Sequence, residues 1–493
     1  MDATATMVGC ASADALSETV IGFGRVVERV GGTFAEREAA ALCCWNELVR
    51  RWLEGELARI EATFGDEVIV DGIRYRRHEC GEATYHSLNG PVVVRRSTYR
   101  QVGVHNGPTI VPLELATGMV ACATPNLAFG VAQGHAELPT RQHEALLRGA
   151  HRVPPSRSTL ERIARTIAAA VQRALPLVEP VVRASEAIPE GVATLSIGLD
   201  RTSARMSESR DELDEAPLRR RRRPYVRQPP PPITTAFRMP YVGTVALHDA
   251  DGETLAVRRF AATAAEGPAS MLERMFAEIT HVRRHRPDVA VVIVQDGAPE
   301  LWSLVDDQCA HHHVKPKARL IDWFHVDERL AAALELVTVD ARAAKYLRDR
   351  WRTMLARSDR AIDRISRFLD YLDFVLGWGA GEEPVPKHLR GLIRVYLAPD
   401  AQRAFTQHVA YIARHRHKMR YASARARGFP IGSGITEGAC KSVVAARCKR
   451  SGQRWCTTGL AACLTLRTLL LSGRLESCFA MVQASWRREI CAA

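Results

Sequence analysis

Val289-Ala-Val-Val-Ile-Val294 is an unbroken apolar run, closed by Gln295-Asp296-Gly297. A strand with one wet face would alternate. A run with no polar residue suits a central strand covered on both faces. Such a strand commits the surrounding chain to a layered α/β unit. The neighbouring sequence agrees. Val192–Asp200 alternates, with Ala193, Leu195, Ile197 and Leu199 on one face, so it reads as another strand. Tyr241–Leu247 and Thr254–Phe260 read as two more, joined by the turn signal Asp251-Gly252. Leu272, Met275, Phe276, Ile279 and Val282 share one helical face. Ser270 and Glu273 form a capping box at the start of that helix, and Pro287 stops it. Residues 319–324 read as a fifth short strand. The order over 191–325 is then strand, strand, strand, helix, strand, helix, strand.

The flanking regions differ in character. Phe34–Ile60 has apolar residues at helix spacing. Val68-Ile-Val70, Val92-Val-Val94 and Thr109-Ile-Val111 are short β-type runs bounded by Gly and Pro. Residues 139–183 return to helix. Thr159-Leu-Glu-Arg-Ile-Ala after Pro155-Ser-Arg-Ser158 opens either an ordinary surface helix or a small helix-turn-helix. Glu208–Pro232 is low in complexity: acidic at Asp211–Glu215, then Arg219–Arg223, then Pro229–Pro232. It cannot bury a core and reads as a mobile loop. Residues 327–425 read as almost entirely helical. A last helical region covers 435–486, interrupted near Ser451-Gly452 and Ser472-Gly473. With 493 residues, two or three domains are expected. The boundaries fall at 1–185, 190–326, 327–425 and 426–486.

The net charge is +13, from 68 Lys and Arg against 55 Asp and Glu. That excess favours a polyanionic partner, either nucleic acid or an acidic membrane surface. No run of 18 apolar residues crosses a bilayer, and Met1–Gly24 lacks the pattern of a secretory signal. The twelve Cys include no C-x-x-C pair, which reads as reduced thiols in a cytosolic protein.

Two predicted strands end in aspartate, at Leu199-Asp200 and Gln295-Asp296. A carboxylate at the end of a buried strand is rigidly held over the sheet edge, as a hard divalent cation requires. Asp at a strand end is also a common turn residue. Tyr411–Trp455 contains eleven Lys or Arg and one acidic residue, Glu437, within Gly432-Ser-Gly-Ile-Thr-Glu-Gly-Ala-Cys-Lys441. Glu437 is either an ion-pair partner for those cations or the third carboxylate of a metal site, with the cations binding DNA phosphates. The candidate phosphate binders are Arg414, Arg416, Lys418, Arg420, Lys441, Lys449, Arg450 and Arg454. Asp322 and His325 are read as accessory, as a metal ligand and a positioning group or as a structural strand-end pair. His311-His-His313 reads as a solvated turn, because three consecutive side chains point different ways. Cys440, Cys448 and Cys456 read as small packed residues. Trp302 and Trp455 read as core or loop anchors.

Ile293-Val-Gln-Asp-Gly-Ala-Pro-Glu-Leu-Trp302 resembles the second-aspartate motif of bacterial insertion-sequence transposases, and Asp322-Trp-Phe-His325 is similar to the element that follows it. Gly432–Lys441 with Lys449-Arg-Ser-Gly-Gln-Arg-Trp455 looks like the glutamate motif of the ISKra-four-type group of DDE transposases. The resemblance covers about 191–486. It implies an α/β fold: an RNase H-like catalytic core with a large all-helical insertion at 327–425, preceded by a mixed α+β N-terminal DNA-end-binding region. It further implies Asp200, Asp296 and Glu437 as ligands to two Mg²⁺ ions, for which Mn²⁺ can substitute. The activity implied is DNA strand cleavage at element ends followed by strand transfer. The partners implied are terminal repeats, target DNA and further copies of the chain, in a nucleoid-associated cytoplasmic setting. Two departures stand out. Arg201 follows the first aspartate where the group has Gly. Gly90-Pro-Val-Val-Val-Arg-Arg-Ser-Thr-Tyr99 matches a segment that elsewhere accompanies a cysteine zinc module, but Arg100-Gln-Val-Gly103 stands where cysteines are expected, so no structural zinc is expected over 67–120. An RNase H-like structure-specific nuclease, such as a junction resolvase, and an inactive DNA-binding regulator on the same scaffold are the competing readings.

Overall fold

The computed structural model describes residues 32–209, 233–377 and 391–493. The runs Asp211–Glu215, Arg219–Arg223 and Pro229–Pro232 lie outside them. The chain is mixed α/β and divides into two compact units. The first comprises residues 1–178 and 475–493, the second 179–474. This moves two predicted boundaries. The first break falls at 178/179 and not at 185, and the last stretch, assigned from sequence to the catalytic core up to 486, belongs from Leu475 onward with the N-terminal unit.

In the first unit, helix α1 (Phe34–Glu61) opens on a capping box between Thr33 and Glu36. It is followed by strands β1 (Glu67–Val70), β2 (Ile73–Ser87), β3 (Gly90–Gln101) and β4 (Thr109–Ile110). Helices α2 (Pro112–Thr117), α3 (Pro125–Glu137), α4 (Thr140–Gly149) and α5 (Arg157–Ser185) come next, the last turns of α5 belonging to the second unit. Leu57 of α1 packs with Tyr85, Val92 and Val94 of the β2–β3 hairpin. β2 escapes a pattern search because most of its side chains are exposed and polar. What holds it is the long antiparallel ladder to β3, not a buried face.

The second unit carries β5 (Thr194–Arg201), β6 (Ala204–Ser209), β7 (Ile233–Arg238), β8 (Tyr241–His248), β9 (Thr254–Ala262), α6 (Ala269–His285), β10 (Ala290–Gln295), α7 (Pro299–His311) and β11 (Ala318–Ile321). Five strands form one sheet in the order β11-β10-β5-β8-β9. β10 runs parallel to both β5 and β11, whereas β5–β8 and β8–β9 are antiparallel. The Val289–Val294 run is buried as its composition demands, with Val291 and Ile293 in one core and Val292 and Val294 in another. Three expectations are corrected. Glu208 is not the start of a loop; it lies in β6, which pairs with β7. Ser270 does not cap α6, which begins at Ala269 behind Pro268 with no side-chain cap. The reciprocal bonds sit seven residues earlier, before the helix begins, where Thr263 N donates to Glu266 Oε2 (2.9 Å) and Glu266 N to Thr263 Oγ1 (3.2 Å). The third concerns Asp322, which lies beyond β11.

The helical stretch consists of α8 (Trp323–Val337), α9 (Ala341–Arg357), α10 (Ala361–Gly377), α11 (Pro399–His415) and α12 (Tyr421–Arg425). Then follow α13 (Gly434–Ala439), a π-helical turn over Cys440–Ala445, α14 (Ala446–Cys448) and α15 (Thr457–Leu471). The last elements, α16 (Leu475–Trp486) and β12 (Ile490–Ala492), belong to the first unit, where β12 pairs with β1 and Phe479 packs on Phe129.

One buried ion-pair group ties the second unit together. Glu278 accepts bonds from Arg183 Nε (2.8 Å) and from both terminal nitrogens of Arg474 (2.5 and 2.9 Å). Arg474 also donates to Glu186. Among the described residues no helix is long and apolar enough to cross a membrane.

Candidate functional site

Asp200, Asp296 and Glu437 line one small cavity of about 30 Å³, together with Leu199, Gln295, His325, Ser433 and Thr436. Each acid arrives on a different element. Asp200 is the next-to-last residue of β5, Asp296 follows β10 directly, and Glu437 lies in the first turn of α13. Because β5 and β10 are adjacent and parallel, their carboxyl ends open on the same edge of the sheet, where sites of parallel α/β sheets form.

Local bonds orient each acid. Arg201 N donates to Asp200 Oδ1 (2.6 Å), and the Cys440 thiol donates to Asp200 Oδ2 (3.3 Å). Ala298 N donates to Asp296 Oδ1 (3.0 Å), closing a tight turn, and Trp302 Nε1 donates to the Asp296 carbonyl (2.6 Å). Gly297 in that turn lies so close to the Tyr411 ring that a Cβ would collide with it. Ser433 Oγ donates to Glu437 Oε1 (3.2 Å). α13 itself is pinned to the sheet. The Thr436 and Thr244 hydroxyls are hydrogen-bonded at 2.7 Å, both buried, and a Cβ on Gly198 would overlap Thr436 Oγ1. Gly198 is therefore a space requirement of this approach and not a flexible joint.

Burial pushes the Asp296 carboxyl above its ordinary value. Asp200 and Glu300 push the same way, against the Ala298 N–H and His325. That is the signature of acids crowded together in a poorly solvated place.

Asp322 behaves differently. It is not a strand residue but the N-cap of α8, and it is fully buried. Its Oδ1 accepts from His325 N (2.9 Å) and its Oδ2 from Ser433 N. Burial would raise its carboxyl, but the bonds from His325 and Ser433 outweigh this and hold it down at about 2. Asp322 thus clamps the loop carrying Glu437 to the start of α8. His325 Nδ1 stands 3.4 Å from Asp322 Oδ1 and 3.8 Å from Glu437 Oε1. It is pushed up to about 9, first by Asp322, with Glu437 and Asp296 adding. A cationic imidazole therefore faces the acids.

The donor set fits a hard divalent cation. Three carboxylates converge, and the Gln295 side chain, 1% exposed in the cavity wall, has neither its amide nitrogen nor its oxygen bonded within the protein. Among the described residues at this site it is Asp322, His325 and Glu437, and not Asp200, Asp296 and Glu437 together, that bring one donor atom each within 4.8 Å of the others. The occupied oxygens of Asp322 assign it to holding the loop.

The basic candidates fall into two groups. Arg414, Arg416, Lys441, Lys449 and Arg454 are exposed, and Lys449 donates to Thr202 Oγ1 (2.6 Å). Lys418 and Arg420 are engaged inside the protein. Lys418 Nζ sits 3.5 Å from the centroid of the Trp302 ring. Arg420 donates to the Asp359 carbonyl and to Asp363. Arg450 is half-buried and donates to the Ala446 carbonyl (3.0 Å). Arg201, which stands where the resembled transposase group has Gly, is paired with Glu300.

Sequence reasoning missed several supporting residues. Ser433 and Thr436 lay within the quoted glutamate motif. Cys440 read as a packing residue, and Thr244 and Gly198 carried no signal at all. The Trp302 anchor was legible, but its lysine partner was not. No protein-family model matches the chain, and no curated protein sequence matches it.

Proposed function

We propose that the chain is a DDE-class DNA transposase, which cuts DNA at the ends of a mobile element and joins the freed 3′ ends to a target. The observation that carries this reading is the convergence of Asp200, Asp296 and Glu437 on one cavity, from three elements far apart in sequence. The strand order β11-β10-β5-β8-β9, with its two parallel and two antiparallel neighbours, supports an RNase H-like core. The Ile293–Trp302 and Gly432–Lys441 motifs support the ISKra-four-type assignment. The charge of +13 suits a DNA partner.

Asp200, Asp296 and Glu437 would hold the metal, and a bound pair of Mg²⁺ ions supplies activation of the attacking hydroxyl and stabilisation of the leaving oxygen. The chain's own residues do the positioning. Arg201 N–H and Cys440 fix the Asp200 carboxylate, Ala298 N–H and Trp302 fix the Asp296 turn, and Ser433 fixes Glu437. His325, held cationic by Asp322, would offset repulsion among the acids and offer a charge to a phosphate oxygen. The exposed Arg414, Arg416, Lys441 and Arg454 would track the DNA backbone.

The test is a combined cleavage and strand-transfer assay on DNA carrying the sequences that flank the gene. The parent should cut and join in Mg²⁺. Asp296→Asn and Glu437→Gln should each lose both steps by at least about 10³-fold while still binding the ends. Cleavage of branched DNA without joining would identify a resolvase-type nuclease. End binding with no cutting by the parent would identify an inactive regulator.

A further inference from the structure

We infer a second metal site, made by Glu273, His311 and His312, for a borderline transition-metal ion of the Zn²⁺ class. It is independent of the acidic cavity and of the proposed transposase activity.

The three consecutive histidines were expected to point apart, and within a regular helix they would. Here α7 ends among them. His311 is its last residue, His312 is the cap, and His313 adopts a left-handed backbone with φ of +51°. Val314 N then donates back to the Cys309 carbonyl (2.8 Å). Through their side-chain torsions, His311 and His312 nonetheless bring ring nitrogens to the same side, where α6 presents Glu273.

The geometry is partly assembled. His312 Nε2 lies 3.0 Å from Glu273 Oε2. One donor atom from each of Glu273, His311 and His312 lies within 4.8 Å of the others. Tetrahedral zinc with bonds of about 2.0–2.1 Å places its ligand atoms about 3.3 Å apart, so only side-chain torsions need to change. The His312 ring is already held. It stacks on Phe276, which is buried on α6 one turn beyond Glu273, with centroids 5.3 Å apart and planes 24° apart. Two imidazoles and one carboxylate suit Zn²⁺, Ni²⁺ or Cu²⁺ and disfavour Mg²⁺. Three protein ligands leave a position open to water or to a solvent ligand.

α7 begins three residues after Asp296, and His311 lies twelve residues beyond Pro299. That separates the site from the acidic cavity by about 18 Å along the helix. A bound ion would fasten the far end of α7 to α6 without entering the cavity.

The test is Zn²⁺ titration by calorimetry on tag-free, full-length protein, with Co²⁺ absorption as the spectroscopic probe. The background is Glu437→Gln, which takes one carboxylate out of the competing acid cluster and so weakens it as a metal site. We expect one Zn²⁺ equivalent with tetrahedral-type Co²⁺ bands and a higher melting temperature with Zn²⁺. His311→Ala and Glu273→Gln should each weaken that binding at least tenfold and abolish the thermal shift, with metal-free melting unchanged. Both variants alter exposed side chains, so loss of folding will not mimic the result. Equal Zn²⁺ stoichiometry and affinity in both variants and their parent would overturn the site. So would its filling by Mg²⁺ at comparable concentration.

Discussion

Replacing Gly198 by Ala tests how the glutamate helix is held. Gly198 pairs with Thr244 across β5 and β8, and the Thr244 hydroxyl bonds Thr436 of α13 at 2.7 Å. The new methyl would fall on Thr436 Oγ1, and Thr436 is 4% exposed, so neither side has room to yield. Overpacking of this kind costs about 1–3 kcal/mol. If Thr436 rotates away instead, a buried hydroxyl pair is lost, at about 1–3 kcal/mol. The backbone entropy relieved by Ala returns about 0.5–1 kcal/mol. Taking the middle of these ranges, a net loss of about 1–2 kcal/mol follows, or roughly 2–8 °C in melting temperature for a unit of this size. Glu437 is the next residue, so displacing α13 by about 1 Å should lower Mg²⁺-dependent cleavage by about 10²-fold with end binding retained. The assays are urea and thermal melts beside cleavage of end DNA. The double variant Gly198→Ala/Thr436→Ala makes room for the methyl and should recover at least about 1 kcal/mol relative to additivity. A Gly198→Ala protein that melts and cleaves like its parent, or an additive double variant, would refute the close approach.

Asp322→Asn should unfold the second unit more easily, by about 2–4 kcal/mol in urea. An amide nitrogen would face either Ser433 N–H or His325 N–H in a fully buried place. Normal stability with lost cleavage would instead make Asp322 a metal ligand. Arg414→Ala/Arg416→Ala should flatten the dependence of end binding on salt, whereas Arg420→Ala should lower thermal stability and leave that slope alone, since its partner is Asp363. An equal change of slope in both would show that Arg420 reaches DNA. Despite burial, which pushes Glu278 up, its bonds to Arg474 and Arg183 hold the carboxyl below its unfolded value of 4.5. Its stabilisation is therefore complete above that value and is lost as pH falls below it. Melts between pH 6 and 3.5 should show a steeper acid loss for the parent than for Glu278→Gln, and parallel curves would refute this.

Where side chains decided the structure, the sequence was informative. The Val289–Val294 run, the alternation before Asp200 and the Asp251-Gly252 turn each have a physical signature within a few residues, and each became the expected element. Glu437 was visible as the single anion in a basic stretch. Structure set by distant partners was not visible. β2 is a polar strand held by its ladder to β3. β6 and β7 flank a long low-complexity run, so nothing local announces their pairing. Asp322 read as a strand residue because Leu320-Ile321 precede it, yet its role is fixed by Ser433, 111 residues away. Lys418 looked like any exposed cation until Trp302 was placed beneath it. The return of Leu475–Ala493 to the first unit depends on β12 finding β1, a pairing across most of the chain.

The carboxylate of Glu278 has a consequence for chain architecture. It grips Arg183 and Arg474, which stand near the two ends of the second unit. Entry and exit are thereby held side by side, the arrangement of a guest domain spliced into a host. Residues 179–474 should therefore survive excision as a folded piece, and a short flexible bridge from Val178 to Leu475 is the natural replacement in the remainder.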